Sequence, residues 1–222
     1  SFMLTRIMHE AGLPNGVVNL IHGKGSGAGQ FLVDSVDEGL VNKISFTGST
    51  PVGKMIGEIC GRNLASCSLE LGGKNPLVVM PSANIENAVE GAYWAAFGTA
   101  GQRCTSLGNL ILHKDIYEDF MQKFMEKVKE TKIGDSLRND DVLYGSMISE
   151  KYASDFLRDL GLCETDGATK LWGEGRITNE NKPENFKGDA SEGAYMWPHV
   201  YSDVTEDMQC FQQEIFGPVV TI

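Results

Sequence analysis

Leu4, Ile7, Met8 and Ala11 recur at spacings of three and four, the stripe of one helical face, so the chain opens on an amphipathic helix. No convincing cap precedes that helix, and the last residues, 216–222, read as a strand in progress. Both ends look cut, and the expectation is a piece of a longer protein, incomplete at both ends. Residues 17–21 form an apolar run that predicts a buried strand. A glycine-rich turn over 23–29 follows, then a short helix over 30–36. Residues 41–46 predict a second strand, and Thr47-Gly48-Ser49-Thr50 opens a helix to about Ile59. Two short strands are expected at 67–71 and 76–80.

The second half continues the alternation. Ile85, Ala88, Val89, Ala92 and Ala96 mark a helix leading towards Cys104, and 107–113 reads as a strand. Asp115 and Glu118 have capping-box spacing ahead of a helix that turns Ile116, Phe120, Met121, Phe124 and Val128 inward. The lysines of that helix read as a solvated face. A further helix is expected over 149–160, an exposed polar loop over 178–194, and a strand over 195–201. Strands alternating with helices predict an α/β fold with a largely parallel, helix-covered sheet. The glycines after Leu71 suggest a boundary at residues 71–73. Residues 1–70 would then belong to a nucleotide-binding domain, and 71–222 to a domain presenting a cysteine.

Composition narrows the function. The formal net charge of −11 argues against non-specific attraction to nucleic acid or an anionic membrane. No apolar run approaches the roughly 18–20 residues that span a bilayer. The five cysteines are odd in number and lack a C-x-x-C pair, which supports neither a metal site nor a disulfide framework. A reducing cytoplasm or an organelle matrix fits best. Cys60 and Cys67 lie among apolar residues and read as small core hydrophobes, and the four scattered histidines suggest no ligand set. The three tryptophans read as core or domain-contact residues.

Candidate chemistry concentrates in four places. Gly101-Gln102-Arg103-Cys104-Thr105-Ser106 sets a thiol in a glycine-loosened loop beside a cation and small hydroxyls, the setting of a usable nucleophile. Glu70, in Leu69-Glu70-Leu71-Gly72-Gly73-Lys74, is either a sheet-end acid paired with Lys74 or a general base whose partial burial lifts its pKa. Residues 23–29 and 46–53 are successive strand–turn–helix junctions, each explicable as a plain turn with N-capping or as a phosphate cradle. The first lacks the G-x-G-x-x-G spacing, since position 28 is alanine. Glu214 and Phe216 precede a Gly-Pro turn, as an ordinary acid and core ring or as groups for a ribose and a flat ring.

Together Phe46-Thr47-Gly48-Ser49-Thr50, Glu70-Leu71-Gly72-Gly73-Lys74-Asn75-Pro76, Gly101-Gln102-Arg103-Cys104 and Glu214-Ile215-Phe216-Gly217-Pro218 resemble the NAD(P)-dependent aldehyde dehydrogenase superfamily, in its order and at its spacings. The resemblance implies an aldehyde dehydrogenase-like α/β fold in two domains. It makes Cys104 the nucleophile, Glu70 the general base, and Gly25, Gly29, Gly48, Ser49 and Leu71 neighbours of the cofactor. Glu214 would bind the nicotinamide ribose, and Phe216 would pack by the nicotinamide. It further implies NAD or NADP as cofactor, a small aldehyde as substrate and a homodimeric or homotetrameric parent. The family's tryptophan–asparagine oxyanion motif and adenosine-ribose lysine are absent here, so the isolated chain is expected to turn over slowly or not at all. Two alternatives stay open: a coenzyme A-acylating relative, in which a thiol resolves the thioester, and a non-catalytic binding or structural module.

Overall fold

The computed structural model describes all 222 residues, which divide into two compact units, Ser1–Leu71 and Gly72–Ile222. Both are built from parallel strands covered by helices, as the alternating pattern predicts.

The smaller unit begins with α1 (Phe2–Glu10), which buries none of its residues. A π-turn over Gly25–Gly29 runs directly into α2 (Gln30–Asp37). Then come β1 (Lys43–Gly48), α3 (Thr50–Arg62) and β2 (Ser66–Leu71). β1 and β2 pair in parallel with Thr47 opposite Glu70 and Gly48 opposite Leu71. Val33 and Val36 of α2 and Ile56, Ile59 and Cys60 of α3 form the small core. Residues 17–21 are not a strand: Val17 and Ile21 are exposed, and the segment closes only a local turn from the Val17 N–H to the Pro14 carbonyl. An apolar run becomes a strand only where a neighbour takes up its backbone groups, and none pairs here. Cys67, near the start of β2, is likewise exposed; of the two, Cys60 alone is a core thiol.

α3 ends on a left-handed residue. The Ala65 N–H bonds the Cys60 carbonyl and the Leu64 N–H bonds the Gly61 carbonyl, the two bonds of a Schellman turn. That turn wants glycine where this chain has Leu64 at φ 53°, with the side chain 95% exposed. Leu64→Gly should therefore stabilise the smaller unit by about 0.5–1 kcal/mol, the left-handed cost relieved less the added freedom of the unfolded chain. Urea unfolding of the variant against the parent measures it.

The larger unit contains β3 (Asn75–Val79), α4 (Ile85–Phe97), β4 (Leu107–Leu112), α5 (Tyr117–Lys129), α6 (Glu150–Asp166), β5 (Thr169–Trp172), β6 (His199–Ser202), α7 (Gln209–Gln212) and β7 (Val219–Thr221). Its five strands lie in the order β3-β4-β7-β6-β5, parallel except for the β5–β6 pair. α4 and α5 pack through Phe97, Phe120 and Phe124, whose rings stack at 6.2 and 5.8 Å between centroids. Each such ring is fully buried, a transfer gain of roughly 1.5–3 kcal/mol apiece. The α5 lysines do pair outward, Lys123 with Glu86 and Asp119, and Lys127 with Glu90. The capping box is not formed: α5 starts two residues after Asp115, behind a single 3-10 turn in which the His113 ring accepts the Asp115 N–H. α6 runs to Asp166, beyond the expected Leu160, and is capped by the Ser149 hydroxyl. The expected strand over 195–201 is shorter and later, and the 178–194 segment anchors itself through buried Phe186 and Ala190. No helix is long and apolar enough to cross a membrane.

Candidate functional site

Strand order explains why three sequence-distant segments converge in the larger unit. β3, β4 and β7 are parallel neighbours, so the residues just before each strand, 72–74, 102–106 and 213–218, gather at one end of the sheet. They line a narrow cleft that includes Gly73, Lys74, Gly101, Arg103, Ser106, Glu214 and Phe216.

Cys104 sits on the middle segment. α4 ends at Phe97, and the chain reverses through three successive left-handed residues, Thr99, Ala100 and Gly101, at φ 57°, 56° and 64°. Left-handed backbone costs an ordinary residue roughly 1–2 kcal/mol, so the turn persists only because its surroundings fix it. Ala100 is buried, and the Gln102 side chain bridges the Thr99 carbonyl and the Ile148 N–H. A Cβ on Gly101 would lie 2.0 Å from the Gly217 carbonyl oxygen. Beyond the turn, the Asn75 amide donates to the carbonyls of both Cys104 (2.7 Å) and Ser106 (2.9 Å), fastening the loop to the start of β3. Cys104 is exposed, which rules out a buried structural thiol. Its carbonyl is pinned, while its own N–H has no partner within the protein. An accessible thiol beside a free backbone donor is the arrangement that addition to a carbonyl requires.

Arg103 precedes the thiol, and its guanidinium lies 4.1 Å above the centre of the Trp94 ring. Trp94 is correspondingly not a core residue: it projects from α4 and is 54% exposed. Trp172 and Trp197 do pack together, edge to face at 5.9 Å.

Glu214 is half-buried, and a Cβ on Gly72 would fall 1.9 Å from one of its carboxylate oxygens. The Gly72-Gly73 pair thus makes room for this carboxylate, a link that spacing alone did not reveal. Burial raises the Glu214 pKa, with a hydrogen bond from the Gly73 backbone pulling the other way. Phe216 is partly exposed and tilts against Tyr152 at 6.5 Å. Lys74 also lines the cleft, its stem lying over Gly108, where a Cβ would come within 2.6 Å. Burial pushes its ammonium down to about 8, and it has no ion-pair partner.

In the smaller unit the parallel register places Glu70 and Thr47 side by side at the carboxyl ends of β2 and β1. Glu70 is exposed and makes neither a hydrogen bond nor an ion pair, so the pairing with Lys74 is not formed. Leu71 packs on α3, where its side chain occupies the space a Cβ on Gly53 would need. Ser49 is the N-cap residue of α3, yet its hydroxyl caps nothing. In the first turn of this 13-residue helix Pro51 has no N–H and the Gly53 N–H bonds the Ser49 carbonyl, which leaves the Ser49 hydroxyl with the Thr50 and Val52 N–H groups as unpartnered donors. Between α2, β1 and α3 lies a largely apolar cleft of about 360 Å³, lined by Gly25 and Gly29 together with Val33, Phe46, Val52 and Ile56. Ile56 carries no motif signal; only its place on the buried face of α3 distinguishes it. Gly48 and Ser49 lie outside this cleft's lining. No group of three or more His, Cys, Asp or Glu side chains is placed to hold a metal ion.

Comparison with known proteins agrees across the whole chain. The model of the aldehyde dehydrogenase family matches residues 1–222. Alpha-ketoglutaric semialdehyde dehydrogenase of Bacillus subtilis is 38% identical over 96% of this chain and 41% of its own length. 4-Trimethylaminobutyraldehyde dehydrogenase of Rattus norvegicus is 36% identical over 100% of this chain and 43% of its own. Among solved structures, betaine aldehyde dehydrogenase of Staphylococcus aureus in complex with NAD+ superimposes with a TM-score of 0.87 at 31% identity, covering 99% of this chain and 41% of that one. The chain thus spans about two-fifths of the length of the curated relatives it matches.

Proposed function

The chain belongs to the aldehyde dehydrogenase family, and from that premise we propose that it carries the nucleophile and the general base of an NAD(P)-dependent oxidation of an aldehyde to a carboxylic acid. The observation that carries this reading is the Cys104 loop: an exposed thiol, a pinned carbonyl and an unpartnered N–H on a turn held in left-handed backbone.

Cys104 attacks the aldehyde carbonyl as its thiolate. The oxygen of the resulting thiohemiacetal takes a hydrogen bond from the Cys104 N–H, which is free to give one. NAD(P)+, when bound, accepts the hydride and so makes the oxidation possible. The thioester left on Cys104 is released by water from which Glu70 takes a proton, a role open to a carboxylate with no competing partner. The residues present fit a dinucleotide. The apolar cleft with Gly25 and Gly29 suits a flat base, and the free Ser49 hydroxyl at the start of α3, beside Gly48, suits a pyrophosphate. Glu214 suits a ribose diol, and Phe216 a ring face. Leu71 helps by seating α3 against β2. Homo-oligomeric assembly and a cytoplasmic or organelle-matrix location belong to the same reading.

The relatives do not transfer a substrate, since names referring to a keto-acid semialdehyde and to a trimethylamino aldehyde match at 38% and 36% identity. The two half-reactions are separable by substitution. Cys104→Ala should remove aldehyde oxidation altogether, whereas Glu70→Gln should spare the first hydride transfer and slow only the release of acid.

A further inference from the structure

Leu71 and Leu69 of β2 lie against α3 where the helix has no side chain. A Cβ on Gly53 would come within 2.5 Å of the Leu71 side chain, and one on Gly57 within 3.6 Å of Leu69. Four residues up the helix match two residues down the strand, so α3 runs antiparallel to β2 with one face on one face. The next step of that register sets Cys60, three residues beyond Gly57, against Cys67, two before Leu69. Seven residues of helix rise about 10 Å and four of strand about 13 Å, so the match holds over its length. The Schellman turn returns the chain to the same place, since the Ala65 N–H bonds the Cys60 carbonyl just before β2 begins. The two thiols interact as a hydrogen-bonded pair. Burial first, then the charge and the hydrogen bond of Cys67, push the Cys60 thiol up, so Cys60 keeps its proton. The partners are unequal: Cys60 is 0% exposed and Cys67 is open to solvent. An oxidant meets Cys67, with a sheltered thiol in contact behind it, the arrangement of an attacking and a resolving sulfur. Cys163 and Cys210 of the larger unit also meet, but both are 0% exposed, and burial pushes the Cys163 thiol up to about 12. Cys104 is exposed, but it stands in the larger unit, whose two other thiols are engaged with each other.

We propose that Cys60 and Cys67 form a dithiol–disulfide couple of the smaller unit, a modification site for small-molecule disulfides such as oxidised glutathione. The Cys67 thiolate attacks one sulfur of the glutathione disulfide, forms a mixed disulfide and expels one glutathione thiolate. Cys60 then gives up its proton to solvent, attacks the Cys67 sulfur and expels the second glutathione. The protein loses two protons and two electrons, and one glutathione disulfide becomes two glutathiones. The bridge joins the last turn of α3 to the first residues of β2. Ser49 and Glu70 lie towards the opposite ends of those elements, and the couple does not depend on the role read for Cys104.

Peptide mapping tests this without turnover. The folded chain is exposed to oxidised glutathione at neutral pH for set times, its free thiols are capped with iodoacetamide, and the tryptic peptides are followed by mass spectrometry. Cleavage after Lys54, Arg62 and Lys74 puts Cys60 on the peptide 55–62 and Cys67 on 63–74, so the bridge is read as one reductant-sensitive linked pair. That pair should become the main product at Cys67. Cys104 should instead keep a glutathione adduct, and Cys163 and Cys210 should stay free. In Cys60→Ser the Cys67 adduct should accumulate at least about tenfold above its level in the unsubstituted chain, because the resolving thiol is gone. Accumulation of that adduct in the unsubstituted chain to the extent seen at Cys104, with Cys60 still capped as a free thiol, would overturn the couple. A linked pair that forms only after unfolding in urea would overturn it equally, since the folded register is what brings the two sulfurs together.

Discussion

Gly101→Ala should destabilise the larger unit by roughly 3 kcal/mol or more, a loss in the class reserved for strained backbone and overpacked cores. The new Cβ would lie 2.0 Å from the Gly217 carbonyl oxygen, 2.5 Å from its carbon and 3.0 Å from the Pro218 nitrogen. None of these is the loose end of a side chain. Gly217 cannot retreat either, because the Phe156 ring of α6 already fills the space on its other side, where a Cβ would come within 2.1 Å. Phe156 is itself 1% exposed. The φ of 64° at Gly101 adds left-handed strain for any side chain. Relief requires the Cys104 loop to part from the segment that carries Glu214 and Phe216, so the substitution should also disorganise the cleft. Urea unfolding measures the first effect. A midpoint close to that of the parent chain would show that the two segments are not held together as described.

The second large effect is a loss of stability in mild acid caused by His199. This residue is 2% exposed on β6, and its Nε2 accepts the Gly175 N–H at 3.0 Å, which only the neutral ring can do. Burial is the main cause that pushes its pKa from 6.5 down to about 4, and the Lys170 charge adds to it; contacts with the Trp197 and Pro218 backbone oppose both. The folded state therefore holds its proton more weakly than the unfolded chain. Stability is full above about pH 6.5 and falls as the pH drops towards 4, where the unfolded state binds the proton first. A shift of this size corresponds to on the order of 3 kcal/mol. In His199→Gln the side-chain carbonyl can still accept the Gly175 N–H, but nothing titrates in that window. The stability curve of the parent should fall away from that of the variant between pH 6.5 and 4, while losses from exposed carboxylates cancel in the comparison. Parallel curves would contradict the buried neutral imidazole.

What the sequence makes legible follows from the range of the forces involved. The stripes of α4 and α5 are local patterns, and each helix forms where its stripe lies. The strands that have partners are legible for the same reason, but residues 17–21 show that apolar content without a pairing neighbour makes no strand. The antiparallel β5 escapes notice because its four residues carry little pattern. The convergence of Gly72-Gly73, Cys104 and Glu214 is not written in any local stretch, since it depends on β3, β4 and β7 being neighbours. Motif order points to these residues through family resemblance, whereas their physical relation emerges only from strand order. The partner of Arg103 was also hidden: its guanidinium stacks on Trp94, because residues nine apart are brought together by the end of α4 and the left-handed turn.

The central claim is that Cys104 performs the oxidation and Glu70 the hydrolysis, in sequence, within a polypeptide that contains this chain. The direct measurement is rapid-mixing detection of reduced cofactor after Glu70→Gln, with acid product followed in parallel. The account predicts a fast burst approaching one equivalent per Cys104 and then a steady rate lowered at least about a hundredfold, as loss of a general base entails. A variant with undiminished steady turnover, or one whose burst disappears along with it, would contradict the division of labour between the two residues.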